Sequence, residues 1–449
     1  MQLPQKFCDR MESMLGAEAP RFFEAMAEEP RRSLRYDPEK VSEKALNEAF
    51  GTLSPLPFGE NALYFSFDGI GAHPLHQGGA LYVQEPAAMA PVASLPHKKF
   101  SRILDLCAAP GGKSLQAAAT RLREDGLLVC NEPDARRRAV LIQNLERMGE
   151  KRAVVTGFDA SRLPEELRGG FDLVICDAPC SGEGMMRKNP DAAALWSERH
   201  VEELAALQER ILQSAGAALA AGGVLLYSTC TWSVEENEEQ VLRLLRSDPT
   251  LSLSEPPEAV AQCAARGIPL EGEEALKRTL RFYPHLFSGE GQFVAVLQKE
   301  GELSLPAPVP QGKKKKERPH ADEGAVRAFL DGILKSKTVS PLLLRGDTWY
   351  LQGTDLLPPS LLCLPGIPVG QVQKGRVIPH HSLFKCLADA MAQRLTLSPA
   401  EAEKYLHGEE LSVPFEAGFA VAYLGNCPLG GLRCSKGRGK NLYPKGLRT

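Results

Sequence analysis

The sequence predicts an α/β fold built on a doubly wound, mostly parallel sheet, with smaller regions before and after it. Between about residues 100 and 300, five short and nearly continuous apolar runs alternate with helical stretches, as in a parallel sheet covered on both faces. A loop of small residues follows the first run, where such sheets bind ligands. The 449 residues allow two or three domains at about 150 residues each.

The five apolar runs are the candidate strands of the buried sheet. They cover residues 103–107, 127–130, 153–155, 171–176 and 223–227. The clearest helix precedes the fifth run, because Leu204, Gln208, Ile211, Leu212, Ala215 and Leu219 recur at helical spacing. Gly222 and Gly223 predict the end of that helix.

The composition shifts divide the chain into four parts. We predict an N-terminal region at 1–95, the sheet domain at 96–300, a linker at 301–325 and a smaller domain at 326–449. Prolines followed by four lysines at 313–316 indicate the linker, since both resist packing. In the last part, 398–401 forms a predicted capping box with Pro399 at the first helical position, and 418–424 is a predicted strand.

Composition and charge exclude several classes of protein. The 53 basic and 56 acidic residues give a net charge of -3, so the whole chain is not a polycation. The N-terminus lacks a secretion signal, and the longest low-polarity run, 215–227, is shorter than the roughly 18–20 residues of a membrane span. We therefore expect a cytoplasmic protein without membrane contact. The 11 cysteines include no C-x-x-C pair, so no metal site is expected.

The C-terminal tail is locally basic. Residues 418–449 contain no acid but contain Arg433, Lys436, Arg438 and Lys440, with Tyr443 among the cations. Cations and an aromatic ring suit phosphate contact and base stacking. The alternative is an ordinary solvated basic tail.

The loop after the first strand is the candidate cofactor site. It ends in Gly-Lys-Ser, as a phosphate-binding loop does, but that motif needs glycine where this chain has Cys107, which argues against a nucleoside triphosphatase. The candidate cofactor-binding residues of the loop are Cys107, Ala108, Ala109, Pro110, Gly111, Gly112 and Lys113.

Acidic residues follow the next three strands. Glu132 lies about 20 residues beyond the loop, where doubly wound nucleoside sites carry the ligand of the ribose hydroxyls. Asp159 follows the third strand and Asp177 the fourth. Acids at strand ends are common, but this ordered set indicates one ligand-binding edge.

Two cysteines follow the fourth and fifth strands in polar, turn-rich segments. Cys180 lies in Asp-Ala-Pro-Cys-Ser-Gly and Cys230 in Ser-Thr-Cys-Thr. Adjacent strands would bring both to one edge of the sheet. The alternative is that they are small packing residues, which we prefer for Cys130 and Cys176, and for the side chain of Cys107. Residues 233–236 are predicted to form a capping box that opens the next helix.

These motifs together resemble the RNA cytosine-5 methyltransferases of the Nop/Sun family, and most closely the bacterial RsmF-like branch, which modifies small-subunit ribosomal RNA. The segments that carry the resemblance are 105–113, 177–184, 227–231 and 235–238, with looser similarity at 84–89, 281–285 and 440–448. The resemblance runs from about Leu3 to the C-terminus. It implies a Rossmann-like class I methyltransferase core, an N-terminal RNA-binding region and a C-terminal PUA-like RNA-binding domain.

The resemblance also implies a role for each candidate residue. The loop from Cys107 to Lys113 would bind S-adenosylmethionine, Glu132 its ribose and Asp159 its adenine. Asp177 would lie near both the methyl donor and the target base. Cys230 would be the nucleophile, and Cys180 would assist product release. Pro133 and Asp134, which follow Glu132, depart from the small polar residues that the family often has there.

The implied chemistry needs a thiolate, because C5 of cytosine becomes nucleophilic after a thiolate adds to C6. Lys113, Arg187 and Lys188 are candidate sources of the positive charge that favours a thiolate. The implied partner is RNA, as 16S rRNA or the 30S subunit, with no obligate protein partner evident.

Three alternatives stay open. The substrate could be transfer RNA. The enzyme could be a DNA cytosine methyltransferase with Cys180 as its nucleophile, although the Ser-Thr-Cys-Thr segment and the basic tail argue against this. The chain could also be a non-catalytic RNA-binding protein of ribosome assembly on the same fold.

Overall fold

The computed structural model describes residues 3–307 and 321–448 and confirms the α/β fold. The described residues form four sheets, of which the central one has ten strands. Residues 308–320, which include most of the predicted linker and its four lysines, lie outside the described residues.

The N-terminal region holds a four-stranded sheet and short helices. Their bounds are α1 Gln5–Leu15, α2 Ala19–Ala27, β1 Arg32–Tyr36, α3 Glu43–Phe50, β2 Ser54–Pro55, β3 Ala62–Phe65, α4 Pro74–Gln77, β4 Leu81–Val83 and α5 Ala90–Ala93. The strand order is β2-β3-β1-β4.

The central region follows the alternation that the sequence predicts. Its elements are β5 Phe100–Asp105, α6 Gly112–Thr120, β6 Leu122–Asn131, α7 Ala135–Met148, β7 Ala153–Thr156, β8 Phe171–Asp177, α8 Pro190–Leu195, α9 Glu198–Ala218, β9 Leu219–Thr229, α10 Glu238–Ser247, β10 Leu251–Leu253, α11 Glu258–Ala261, β11 Ala265–Arg266, β12 Leu280–Phe282 and β13 Gln292–Lys299.

The order of the central strands positions the site. Strands β7-β6-β5-β8-β9 are all parallel, and β13 extends the sheet antiparallel to β9. The chain winds from β5 towards β6 on one side and reaches β8 on the other. The crevice beyond the carboxyl end of β5 is therefore the switch point at which doubly wound sheets bind ligands.

The predicted end of the long helix is wrong. Helix α9 ends at Ala218, and Gly222 and Gly223 lie inside β9, because Leu219 already pairs with Phe171 of β8. Gly222 has φ +72°, and a Cβ there would lie 2.8 Å from the carbonyl oxygen of Gly301. A close backbone contact, and not a helix end, therefore accounts for this glycine.

The C-terminal region contains two further sheets. Its elements are α12 Glu323–Ile333, β14 Leu342–Arg345, β15 Thr348–Gln352, β16 Leu362–Leu364, β17 Gly366–Gln373, β18 Arg376–Pro379, α13 His381–Cys386, β19 Arg394–Leu397, α14 Pro399–His407, β20 Leu411–Ser412, β21 Ala417–Leu424, β22 Cys427–Ser435 and β23 Arg438–Asn441.

Two local predictions for this region are confirmed: the Ser398–Glu401 capping box opens α14, and β21 covers the predicted strand. Strand β16, however, pairs with β7 at the edge of the central sheet. The region after residue 326 is thus not confined to its own sheets, and the predicted domain boundaries stay predictions.

The N- and C-terminal regions share one apolar core. Leu34 and Leu63 of the first sheet belong to the same buried cluster as Tyr405 and Leu429. Tyr443 is 2% exposed and its hydroxyl donates to Oε1 of Gln77, so the prediction that this ring is free to stack on a base is wrong. A residue in this shared core cannot also present its face to solvent.

The basic side chains of the tail, by contrast, face outwards. Arg433, Lys436, Arg438 and Lys440 are all exposed on β22, the turn and β23. Within residues 3–307 and 321–448, no helix is both long enough and apolar enough to cross a membrane, and no group of His, Cys, Asp or Glu could hold a metal ion.

Candidate active site

The loop between β5 and α6 is tied down by a buried acid. Asp105, the last residue of β5, accepts hydrogen bonds from Ser114 Oγ at 2.5 Å and from Cys107 N at 3.3 Å. Burial raises the pKa of Asp105 to about 7. Gly111 adopts φ +109° just before α6, a conformation that glycine adopts without strain. The loop is therefore fixed at both ends.

A residue that the sequence did not single out braces the same loop. Arg35 of β1 is buried, and its Nη2 donates to the carbonyl oxygen of Gly112 at 3.0 Å. Its Nε donates to Oε1 of Gln84 at 2.8 Å, and Gln84 Nε2 in turn contacts Gln116 of α6. The N-terminal sheet thus reaches the cofactor loop directly. In the sequence, only the similarity of segment 84–89 to the family pointed to this contact.

The acids after the next two strands lie at the same edge. Glu132 follows β6 with a side chain only 2% exposed, and Arg137 Nη1 lies 3.4 Å from its Oε2. Asp159 follows β7, is 58% exposed, and accepts from the Ser161 hydroxyl, which lowers the pKa of Asp159. Asp134 caps α7 by accepting from the backbone N–H groups of Arg136 and Arg137. Asp134, which departs from the residues usual in the family, thus has a structural role.

Asp177, at the end of β8, forms an ion pair beside the cysteines. Lys113 Nζ donates to its Oδ2 at 2.8 Å, and Ser228 Oγ donates to its Oδ1 at 2.7 Å. Burial opposes the charge of Lys113, but Asp177 and the sulfur of Cys230 together raise the pKa of Lys113 above its usual value. The charged form of Lys113 is therefore favoured near the thiol of Cys230.

The two predicted cysteines meet at the carboxyl ends of β8 and β9. The sulfur atoms of Cys180 and Cys230 are 3.3 Å apart, and Cys230 N also donates to the sulfur of Cys180 at 3.3 Å. The hydrogen bond to Cys230 and burial raise the pKa of Cys180 well above its usual value. Cys180 therefore keeps its proton beside Cys230.

Three other cysteines behave differently. Cys130 and Cys176 are fully buried within β6 and β8, and burial raises the pKa of each thiol. Cys107 lies in the loop with a pKa that burial also raises well above its usual value. Their side chains are inert packing residues, whereas the backbone of Cys107 belongs to the loop.

Buried carboxylates hold the cysteine loops. Glu183 accepts from Trp196 Nε1 at 2.9 Å and from Trp232 N at 2.9 Å, which joins the segment after β8 to the segment after β9. Gly184 N also donates to the carbonyl oxygen of Cys230 at 2.9 Å. The two loops are thus cross-linked by hydrogen bonds close to the thiols.

The predicted capping box at 233–236 is wrong. Helix α10 begins at Glu238, and its N-cap residue Asn237 makes no side-chain cap. Glu236 instead turns into the interior, where it accepts from Ser181 and Gln208, while Ser233 Oγ donates to Glu235. Contacts between distant segments therefore override the local capping pattern.

A buried ion pair stabilises the segment that follows Cys230. Arg281 and Glu238 form a two-pronged contact with side chains 1% and 0% exposed, and Arg281 Nε lies 2.5 Å from Glu238 Oε1. Arg281 Nη1 also donates to the carbonyl oxygen of Trp232 at 2.7 Å. The segment 281–285 thus supports the loop of Cys230.

Two candidate cations are engaged elsewhere. Arg187 Nε lies 3.0 Å from Glu290 Oε2, and Lys188 lies 3.8 Å from the other oxygen of the same carboxylate. The third candidate, Lys113, has a pKa that Asp177 and Cys230 raise. The charge beside the thiols is therefore that of Lys113.

The N-terminal helices cover one flank of these loops. Phe7 of α1 packs edge-on against Trp196, and Phe22 of α2 packs edge-on against Trp232 at 4.9 Å between ring centroids. Both tryptophans are the ones that bond to Glu183. Helices α1 and α2 are therefore part of the framework of the site.

Three protein-family models match the chain, over residues 3–86, 92–298 and 392–449. The model described as 16S rRNA methyltransferase RsmB/F matches residues 92–298. The N-terminal domain of 16S rRNA methyltransferase RsmF matches 3–86, and the methyltransferase RsmF PUA domain matches 392–449.

Solved structures show the same fold. A methyltransferase homolog protein from Pyrococcus horikoshii superposes with a TM-score of 0.57 at 26% identity, over 66% of this chain and 95% of that chain. NSun6 from the same organism superposes with a TM-score of 0.58 at 21% identity, over 67% of this chain and 99% of that one.

Curated relatives align over nearly their full length. Ribosomal RNA small subunit methyltransferase F of Erwinia tasmaniensis is 32% identical over 472 residues, covering 99% of this chain and 96% of that protein. The protein of the same description from a Shewanella species is 30% identical and covers 100% of this chain and 97% of its own. This chain therefore belongs to the family of ribosomal RNA small subunit methyltransferase F.

Proposed function

We propose that the protein methylates C5 of a cytosine in 16S rRNA, using S-adenosylmethionine and a covalent bond between Cys230 and C6 of the base. The observation that carries the proposal is the pair of thiols 3.3 Å apart, beside the Lys113–Asp177 ion pair and at the same sheet edge as the glycine loop. Membership of the family supports the ribosomal RNA substrate.

The loop fits an adenosine-containing cofactor. Ala108 and Ala109 add little bulk to the carboxyl end of β5, and Glu132 offers a carboxylate for ribose hydroxyls. Asp159 is exposed at the next strand end, where it can accept from an adenine amine. These residues and the loop from Cys107 to Lys113 would hold S-adenosylmethionine, which supplies an electrophilic methyl group.

Cys230 is the nucleophile. Its thiolate, formed by loss of the thiol proton to solvent, would add to C6 of cytosine, and the electron pair of the C5=C6 bond would move to C5. C5 would then take the methyl group that S-adenosylmethionine supplies, while the electron pair of the broken methyl–sulfur bond stays on the sulfonium sulfur. Cys230 raises the pKa of Lys113, so this side chain carries its charge near the nucleophile. A nearby cation is the usual means of stabilising a thiolate. Asp177 would accept from the exocyclic amine of the base.

Cys180 acts after methyl transfer. The C5 proton must leave, its electron pair must rebuild the C5=C6 bond, and the sulfur of Cys230 must depart from C6. Cys180 keeps its proton and can give it to the departing sulfur, then take up the proton from C5, so the two transfers balance. The sulfur of Cys180 lies 3.3 Å from that of Cys230, within reach for this proton transfer.

The terminal regions would bind the RNA. Exposed cations on β22 and β23 offer phosphate contacts, which release counterions and weaken with salt. The target base must leave its stack to reach the thiols, as in other enzymes that act on bases. Transfer RNA is the second candidate substrate, since the cysteine chemistry is the same for both.

A labelling experiment tests the proposal. The protein is incubated with methyl-labelled S-adenosylmethionine and separately with 30S particles, naked 16S rRNA, transfer RNA or DNA, and labelled nucleosides are identified after digestion. We expect 5-methylcytidine from ribosomal RNA and a loss of activity of at least about 10³-fold in Cys230→Ala, since nucleophile variants lose most of the rate enhancement.

Two controls sharpen the result. Cys176→Ala changes a buried cysteine of β8, the strand that precedes the Cys180 loop, and should keep most of the activity. Cys180→Ala should instead leave RNA covalently retained on a denaturing gel. Label in another nucleoside, or full activity in Cys230→Ala, would contradict the proposal.

A further inference from the structure

Glu236 joins both cysteine loops although it contacts neither thiol directly. It is fully buried between β9 and α10. Its Oε1 accepts from Ser181 N at 2.8 Å and from Gln208 Nε2 at 3.0 Å, and its Oε2 accepts from Ser181 Oγ at 2.5 Å. One carboxylate thus gathers three donors from two other segments of the chain.

These bonds fix the chain on both sides of Cys180. Ser181 follows Cys180 directly and donates twice to Glu236. On the other side, the carbonyl oxygen of Pro179 accepts from Gln208 Nε2 at 2.8 Å, the same amide that reaches Glu236. The backbone that carries Cys180 therefore cannot shift without breaking contacts to this carboxylate.

The same network is anchored to the segment of Cys230. Ser181 Oγ lies 2.8 Å from Thr231 Oγ1, next to Cys230. Tyr227 of β9 donates its hydroxyl to the carbonyl oxygen of Glu236 at 2.5 Å. Glu236 therefore sets the position of the Cys180 loop relative to the strand that ends at Cys230.

We propose that Glu236 is a positioning residue for the release step: it holds Cys180 within reach of the sulfur of Cys230 through Ser181 and Gln208. The inference rests on the proposed function, in which Cys180 serves release and Cys230 serves attack. Since Glu236 bonds to the neighbours of Cys180 and not to those of the cofactor loop, its loss should slow release more than methyl transfer.

Glu236→Gln is the sharpest substitution. The amide keeps the size of the side chain but replaces one acceptor by a donor group, which then faces donors that need an acceptor. Ser181→Ala is a second, milder variant, because it removes the hydroxyl and keeps the backbone bond. Glu239→Gln is the matched control, since Glu239 lies three residues further along, in the first turn of α10, in a surface pair with Arg243.

The experiment compares a single turnover with steady-state turnover on the RNA substrate and follows protein–RNA adducts on denaturing gels. We expect Glu236→Gln to keep the first methyl transfer within about threefold of the unchanged protein and to lose about tenfold or more in steady-state turnover, a loss typical of a small misplacement. It should retain RNA covalently, as Cys180→Ala does. Ser181→Ala should show the same pattern more weakly, and Glu239→Gln should show neither effect.

The outcomes separate the two proposals. If Cys180→Ala retains no RNA, the proposed division of labour between the cysteines fails. If Cys180→Ala retains RNA but neither Glu236→Gln nor Ser181→Ala does, the positioning role alone is wrong. An equal loss of first and later turnovers in both variants would mean that Glu236 only stabilises the fold. Should Glu236→Gln not fold, Ser181→Ala decides by the same readout.

Discussion

The cofactor side and the cysteine side of the sheet edge are built differently. On the cofactor side, a short loop between β5 and α6 is shaped mainly by its backbone, and Asp105 ties it from within. On the cysteine side, the buried carboxylates of Glu183, Glu236 and Glu238 connect segments that are far apart in the sequence. The cofactor side is held by contacts between residues close in sequence, and the cysteine side by contacts between residues far apart in sequence.

The difference predicts how each side responds to substitution. A backbone-shaped loop loses little when one outer contact is removed, because its turn and helix start persist. A buried carboxylate whose partner is removed stays uncompensated, which is costly. We therefore expect the largest effects on the cysteine side.

The largest effect is expected from Arg281→Met. It leaves Glu238 buried without its cation and removes the bond to the Trp232 carbonyl, so the free energy of unfolding should fall by about 3–5 kcal/mol. Urea unfolding followed by tryptophan fluorescence measures this, since Trp196 and Trp232 lie in the affected segment.

Two further variants sharpen that prediction. Arg243→Met breaks two half-exposed surface pairs, with Glu209 and Glu239, and should cost at most about 1 kcal/mol. Arg281→Met combined with Glu238→Met should recover much of the loss, because no charge is left buried. Equal effects of Arg281→Met and Arg243→Met would mean that the buried pair has no special weight.

A smaller effect is expected on the cofactor side from Arg35→Met. The substitution removes one bond to the Gly112 carbonyl and leaves the turn at Gly111 in place. The Kd for S-adenosylmethionine should rise by about tenfold, the equivalent of about 1.4 kcal/mol for a lost hydrogen bond from a charged group. Isothermal titration calorimetry measures the change.

The control for this prediction lies on the same strand. Arg32 is exposed and pairs with Asp68, so Arg32→Met should leave the affinity for S-adenosylmethionine unchanged. At saturating cofactor, Arg35→Met should also keep the rate of the first methyl transfer. An unchanged Kd in Arg35→Met would show that the N-terminal sheet does not brace the loop.

The two sides also differ in what the sequence could predict. The loop, its glycines and the acids after each strand follow from local spacing, and strand order then brings Cys180 and Cys230 together. Arg35 acts across 77 positions, and no local pattern records that contact. The same holds for the bonds of Glu236, which span 55 positions to Ser181.

The wrong predictions have a common physical cause. Residues 233–236 match a capping box, but the donors of Ser181 and Gln208 draw Glu236 inwards. Gly222 predicts a helix end, but glycine is needed there because the backbone of Gly301 lies too close for a side chain. In each case a contact with a distant segment outweighs a local preference of about 1 kcal/mol.

A further effect is expected in the pH dependence of stability through Asp105. Its pKa rises from about 3.9 in the unfolded chain to about 7 in the folded protein, because burial penalises the carboxylate. Between these values the folded protein binds the extra proton, so this contribution is complete below about pH 4 and is lost as pH rises through 7. Asp105→Asn cannot ionise and should therefore flatten the fall in Tm between pH 5 and 8.

The flattening should be partial and specific to the buried acid. Burial also raises the pKa values of Glu146 and Glu236 to about 7, so both preserve part of the slope in Asp105→Asn. Asp125 is exposed and its pKa is lowered by Arg123, so the Tm profile of Asp125→Asn should run parallel to that of the unchanged protein in this range. Scanning fluorimetry across pH 5 to 8 compares the three profiles. Parallel profiles for all three would mean that Asp105 is already ionised in the folded protein across this range.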